Sequence, residues 1–369
     1  MKNHIPALDG LRGLAALMVM WFHYFQNPSH VPNGSIGSLL TKFNTLGQTG
    51  VDLFFVLSGF LITRILLSDK EQPFYFRNFY IKRSLRILPL YYFFLVFYLF
   101  IDPLLQGNPI PAFSEYWWWF AYLQNIPPTF EISSYGPGHY WSLAVEEHFY
   151  LAWPLLVFLF RRRGLMLTAV SMVAFSFGLR FFFLSQDWSP FYFTLTRLDA
   201  LSFGTILALI EPKLRLHADV GRKVLPAILA AWIVPLFLAY VVFTGSAAFM
   251  LQFIKYPLIA GFYFFLMAYI VVSRPESSAC RLLSSRAAIY IGGISYGLYV
   301  YHGTCFGWFD RFFPDLPLIA AMPCAFFFAI IVSHLSFKLL ETPFLRLKKR
   351  LIKQGSNKTL HPTVGNAPD

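Results

Sequence analysis

The chain has 369 residues, of which 57% are hydrophobic, 20% aromatic and only 13% charged, with a mean hydropathy of +0.54. A soluble domain carries roughly 25% charged residues, so this chain cannot cover a water-facing surface, and a soluble globular fold is excluded. The formal charge of +12 comes without zinc-like or aromatic–basic patterns, which removes a nucleic-acid partner and leaves basic loops held on the cytoplasmic side of a membrane.

The first apolar stretch, Leu11 to Phe25, follows Lys2 and has no small-residue cleavage site after it, so it reads as an uncleaved first helix. Spans of the required length then fall near 10–26, 48–68, 87–104, 142–160, 165–185, 192–210, 224–243, 253–272, 287–309 and 317–340. In the third, Asp102-Pro103 is expected to end the helix early. The loop at 105–141 lacks Lys and Arg but carries WWWF at 117–120 and many prolines, which suits a segment at the outer interface; a carbohydrate platform is the sharper reading. Residues 354–369 have the composition of a disordered tail. Cys280, Cys305 and Cys324 form no CxxC and no metal spacing, so they read as packing residues and no metal is expected.

With the N-terminus in the cytoplasm, alternate loops and the tail hold 22 of the 30 basic residues, and the outer loops hold only Lys42 and Arg311. That asymmetry predicts an all-α, polytopic transmembrane helical bundle of about ten spans with both termini cytoplasmic. The membrane domain covers 1–350, followed by a polar tail from 351 to 369.

Ionisable groups within such spans are costly and are functional candidates by default. On the first helix, Arg12 lies near the inner end and His23 toward the outer end. Eleven positions make about three turns, so the two share a face and differ by roughly 16 Å in depth. Arg12 can also be read as snorkelling, and His23 as a packed core residue. The stretch WSLAVEEHFY at 141–150 opens the fourth span from outside, with Ser142 as a candidate cap for its first turn. Glu146 and Glu147 sit at a depth similar to His23 but point about 100° apart, so only one easily shares a site with His23. Lys82, Arg83 and Arg86 begin the third span from inside; Arg83 and Arg86 share a face and suit phosphate oxygens, although positive-inside charge explains them too. Asp52, Ser58, His148, Tyr150, Arg197 and His302 are further candidates for lining a site. Small residues such as Ser58 and Gly59 equally serve close packing, and Arg197 and Asp199 equally pair with other charges. Sorting by depth, with a histidine and carboxylates outward and guanidiniums inward, suits transfer from a phosphate-rich cytosolic donor to an acceptor outside.

Seven blocks in order then resemble the acyltransferase 3 family of integral-membrane O-acyltransferases, over about residues 5–350: IPALDGLRGLAALMVMWFHY, GVDLFFVLSGFLIT, FYIKRSLRILPLYY, YWSLAVEEHFYLAWPLL, RLDALSFG, ISYGLYVYH and ETPFLRL. The resemblance implies acyl transfer, typically acetyl from acetyl-CoA, to hydroxyls of cell-surface or exported glycans, including lipid-linked saccharides, with the chain in the inner or plasma membrane. It implies that His23 is the catalytic histidine, Arg12 the arginine of the same motif, Arg83 and Arg86 the donor-binding pair, and Glu147 the second glutamate of its block. His148 stands where the family commonly has Gln, and Gly297 and Tyr301 where Ser and Trp are common; these departures bear on acceptor choice. Some members append an extracellular esterase-like domain, which this chain is expected to lack, so that any such partner is separate.

On this reading acyl-CoA enters from the cytoplasm with its phosphates at Arg83, Arg86 and Arg12. His23 deprotonates the acceptor hydroxyl, and Glu147 orients His23 or stabilises its protonated form. His148 is expected to be a hydrogen-bonding substitute for the usual amide, and Glu146 to hold the helix entrance. Two alternatives stay open: a transporter or flippase of glycan intermediates, and a different membrane acyltransferase class built on His302.

Overall fold

A computed structural model of the protein describes residues 4–31, 34–241 and 248–357. Among them the secondary structure is helical, without strands. Helix α1 (Pro6–Tyr24) starts with Pro6, where a missing N–H costs nothing, and is followed by α2 (Ser35–Gln48) and α3 (Gly50–Asp69). Phe74, in the left-handed region at φ 59°, turns the chain into α4 (Tyr75–Val96). Next come α5 (Asp102–Gln106) and the tryptophan-bearing α6 (Phe113–Phe120), and a 3-10 turn, Gly138–Tyr140, leads into α7 (Trp141–Leu159). Then come α8 (Arg162–Ser185), α9 (Leu198–Leu216), α10 (Ala218–Val241), α11 (Ala248–Val272), the short α12 (Ser278–Leu283), α13 (Arg286–Phe312), α14 (Leu318–Ser336) and α15 (Thr342–Asn357).

Each of the ten expected spans falls on one of the long helices, α1, α3, α4, α7, α8, α9, α10, α11, α13 and α14. By length and apolarity, however, six helical stretches among the described residues qualify as membrane-crossing: Phe43–Asp69, Tyr75–Gln106, Gly138–Leu159, Arg162–Ser185, Phe253–Val272 and Leu318–Lys348. That makes the chain a multi-pass membrane protein. Helices α1, α9, α10 and α13 fall outside this set; α1, α9 and α13 carry polar and charged side chains into the bundle, such as Arg12, Asp199 and His302. The stretch holding α3 is 67% buried and those of α8 and α14 only 22%. Accordingly α3 is central, while Phe175, Phe181, Ile319 and Phe327 turn apolar surface outward, as lipid-facing helices do.

One sequence expectation changes. Asp102-Pro103 does not end the third span: a π-helical turn, Phe97–Ile101, precedes it and the helix continues through Gln106. Proline at the start of a new turn lacks an N–H that would be unsatisfied there in any case. The boundary at 350 falls inside α15, which reaches Asn357; residues 358–369 of the expected tail lie outside the described residues.

Glycines set the distances between the central helices. A Cβ on Gly59 of α3 would stand 1.9 Å from the Leu201 carbonyl oxygen of α9, and one on Gly204 of α9 would stand 2.0 Å from the Val56 oxygen of α3. The same device joins α1 to α13: a Cβ on Gly292 would meet the Asp9 oxygen at 1.9 Å. Small residues let membrane helices approach backbone to backbone. These two crossings bring His23 beside His302 and Asp52 beside Arg197.

Gly59→Leu is therefore expected to destabilise the protein by more than the roughly 1–3 kcal/mol typical of overpacking. Gly178→Ala, whose Cβ meets nothing within 4 Å, is expected to be neutral or to gain up to about 1 kcal/mol from helix propensity. Denaturation of the detergent-solubilised variants checks both; equal stability of the two would contradict the close crossing.

Candidate functional site

A cavity of about 790 Å³ lies between α1, α3, α4, α7 and α13. Of the residues expected in a site, it is lined by Arg12, Ser58, Arg83, Arg86, Glu146, Glu147 and Tyr150. Sequence positions scattered over 138 residues thus converge, because α4 and α7 are tied together by hydroxyls: Tyr80 donates to the Leu151 carbonyl (2.9 Å) and Tyr75 to that of Pro154 (3.1 Å).

The cavity wall is strongly basic. Arg12, Arg64, Lys82, Arg83, Arg86, Arg162 and Lys348 face it, against Asp9, Glu146, Glu147 and Glu211. Several of these charges are already matched: Arg12 with Asp9 at 3.2 Å, Arg64 with Glu211 at 2.7 Å and Lys82 with Asp69 at 3.2 Å. Arg83 and Arg86 form no ion pair among the described residues. The Arg83 guanidinium lies over the Tyr150 ring, 5.2 Å from its centre, and the buried Glu341 is within electrostatic reach of Arg86. Two guanidiniums one turn apart, neither in an ion pair among the described residues, have the chemistry to meet the oxygens of an anion.

The adjacent glutamates separate as their 100° offset requires, though both reach the cavity. Glu146 accepts from Ser58 Oγ at 2.7 Å and from the Tyr150 hydroxyl at 3.0 Å. It therefore belongs to a hydrogen-bonded wall and does not hold the helix entrance. Glu147 lines the cavity with no hydrogen-bond partner among the described residues. Ser142 does not cap α7 either. The 3-10 turn before it places Ser142 inside the helix, where its Oγ lies 2.5 Å from the Tyr299 hydroxyl.

That contact closes one end of the cavity. The Tyr299 hydroxyl also donates to the His139 carbonyl at 2.7 Å. Behind this layer three imidazoles cluster: the ring centres of His23 and His302 are 4.8 Å apart, those of His139 and His302 4.7 Å, and those of His23 and His139 6.0 Å. His23 is thus one hydrogen-bonded layer from the cavity but does not line it. Its Nδ1 lies 3.0 Å from the Val19 carbonyl oxygen and 3.0 Å from His302 Nε2. The group hydrogen-bonded to His23 is therefore His302, not the expected Glu147, because Glu147 faces the cavity on the other side of the Tyr299–Ser142 layer.

The other candidates have structural partners. Arg197, fully buried, pairs with Asp52 at 2.5 Å, and Arg180, also fully buried, pairs with Asp199 at 2.5 Å. Tyr256 stands between the two guanidiniums, 4.3 Å from Arg197 and 4.9 Å from Arg180. A buried charge persists only when paired and enclosed by such donors and rings; Asp52 and Arg197 hold α3 to α9 and do not line the cavity. His148 Nδ1 lies 2.7 Å from Thr194 Oγ1, outside the cavity wall, which fits a hydrogen-bonding substitute for an amide. Tyr299 and His139 were missed from the sequence. Tyr299 has no ionic signature, and His139 sits in the proline- and glycine-rich loop before α7, where no helical period marks a face.

Comparison with known proteins gives the family. A family model described as an acyltransferase domain matches residues 5–337. The chain is 28% identical over 372 residues to O-acetyltransferase OatA of Staphylococcus aureus (strain NCTC 8325 / PS 47), covering 92% of this chain and 57% of that protein. It is 29% identical over 375 residues to a protein of Staphylococcus aureus (strain COL) provisionally named as an O-acetyltransferase, covering 93% of this chain and 57% of that one. The chain therefore spans little more than half the length of these curated relatives. No solved structure matches. With the family model covering nine-tenths of the chain and all of the cavity lining apart from His4 and Lys348, the chain belongs to the acyltransferase 3 family.

Proposed function

We propose that the protein is a membrane O-acetyltransferase that carries acetyl from cytosolic acetyl-CoA to a hydroxyl of a cell-surface or exported glycan. The bundle is read as ten spans in the inner or plasma membrane, with both termini cytoplasmic. The split of basic residues between alternate loops supports that orientation, and it puts the Lys82, Arg162 and Lys348 end of the cavity on the cytosolic side.

The observation that carries the proposal is a pair of guanidiniums, Arg83 and Arg86, that form no ion pair among the described residues, in a cavity that ends one layer from His23. Acetyl-CoA brings phosphates joined to a long, uncharged pantetheine arm. The phosphates bind Arg83 and Arg86, with Arg12 beside them, and the arm runs along the cavity toward Tyr299 and Ser142. Glu147, unpartnered on the wall, accepts a hydrogen bond from an amide N–H of the arm. The acceptor hydroxyl comes from the outer side to His23. His23 takes the hydroxyl proton, the carbon–oxygen ester bond forms, the carbon–sulfur bond of the thioester breaks, and the proton ends on the CoA thiol. The S. aureus relatives named as O-acetyltransferases support the choice of acetyl.

His23→Ala, expressed at the wild-type level, is expected to lose acetylation by about 10²–10⁴-fold, the usual contribution of a general base. Mass spectrometry of base-labile acetyl on surface and secreted glycans, in wild-type, deletion and His23→Ala strains, reads this out. Full acetylation by a folded His23→Ala protein would remove His23 from the reaction. Relocation of a whole glycan at constant ester content in the deletion strain would favour a transporter.

Arg83→Lys and Arg86→Lys keep the charge but lose the planar fork. A charge-assisted hydrogen bond contributes about 1.5–3 kcal/mol, so each variant is expected to raise KM for acetyl-CoA roughly ten- to a hundredfold, with a smaller change in kcat. An unchanged KM in both, measured on inverted membrane vesicles, would place the donor elsewhere.

A further inference from the structure

The second histidine of the cluster has an environment that fixes its chemistry. His302 is fully buried on α13. Its Nδ1 lies 3.1 Å from the Leu298 carbonyl oxygen one turn earlier. A carbonyl oxygen only accepts, so Nδ1 carries the proton. The neutral ring then presents a lone pair at Nε2, which lies 3.0 Å from His23 Nδ1. His23 Nδ1 therefore faces two acceptors, that lone pair and the Val19 carbonyl oxygen at 3.0 Å. Both demand that His23 carry its proton on Nδ1, which leaves the His23 lone pair on Nε2.

We infer that His302 is a positioning residue for the acyl transfer: it accepts the Nδ1–H of His23, locking the base in the tautomer whose free lone pair is on Nε2, and holds the imidazolium once it forms. This inference rests on the proposed role of His23 as the base. A buried carboxylate does the same for the histidine of serine hydrolases. Here a neutral imidazole does it, in a cluster with His139 and Tyr299. His302 donates to Leu298 and accepts from His23, so every polar atom of its ring is used. The acceptor's proton moves only to His23 Nε2 and from there to the CoA thiolate; His302 neither gains nor loses one.

The test compares His302→Gln with His302→Leu on inverted membrane vesicles, following transfer of labelled acetyl from acetyl-CoA into the host's glycan fraction. The Gln side-chain oxygen can accept near the position of Nε2; leucine fills the space without accepting. His302→Leu is expected to lower kcat by about a hundredfold or more with KM for acetyl-CoA unchanged. His302→Gln is expected to recover to within about tenfold of wild type. A folded His302→Leu enzyme with wild-type kcat, or a Gln variant no better than the Leu variant, overturns the inference. Should either variant fail to fold, nitrogen-15 spectroscopy of histidine-labelled wild-type protein in bilayers decides: His23 protonated on Nδ1 is required, and His23 protonated on Nε2 alone overturns it. His23→Ala run alongside keeps the two claims apart. If His23→Ala is active, the base assignment has failed; if it is inactive while His302→Leu is fully active, only the positioning role has.

Discussion

A charged side chain inside an apolar bundle must be paired, solvated or used, because its desolvation is not otherwise offset. The rest of the structure follows from how each intramembrane charge meets that requirement. Asp52 with Arg197 and Asp199 with Arg180 meet it by pairing around Tyr256. Arg64 and Glu211 meet it at the cavity wall. Arg83 and Arg86 do not meet it with a carboxylate, and Glu147 has no hydrogen-bond partner among the described residues. These three share one cavity, and the proposed donor site is built on the charges left over after pairing.

Pairing of that kind needs helices held at fixed separations, and the glycine crossings supply them. Gly59 and Gly204 bring α3 against α9 so closely that Asp52 reaches Arg197 directly. Gly292 against the Asp9 backbone does the same for α1 and α13 and lets two imidazoles on different helices come within hydrogen-bond distance. Backbone packing, ion pairing and the histidine cluster are therefore one construction. Loosening a glycine crossing would disturb the tautomer of a residue several turns away.

Much of this was legible in the sequence. The ten apolar runs correspond to long helices, and the depth argument placed Arg12 with Arg83 and Arg86, since charge position along a span translates directly into position along the bundle. The failures have physical causes. Hydropathy cannot see π-helical turns, so the continuation through Asp102-Pro103 was missed. The capping expectation for Ser142 failed because a 3-10 turn moved the helix start. Depth allowed either glutamate beside His23 and the family resemblance chose Glu147, but neither shows which side of an intervening layer a group occupies. Asp52 and Arg197 were read as site candidates because sequence shows that a charge is buried without showing its partner. The role of His302 depends on a lone-pair direction that only coordinates reveal.

The layer formed by Tyr299, Ser142 and the His139 carbonyl has a consequence beyond catalysis. A protein whose donor pocket opens to one face of an energised membrane and whose base serves the other contains most of a conduit. Were the two halves joined by water, protons would run down their gradient through a chain of imidazoles, and each turnover would discharge the membrane. In the proposed orientation, a tyrosine hydroxyl hydrogen-bonded to a serine at 2.5 Å and a carbonyl at 2.7 Å serves as an electrical seal. On the proposed function, an acetyl group is then handed across a barrier that stays insulating.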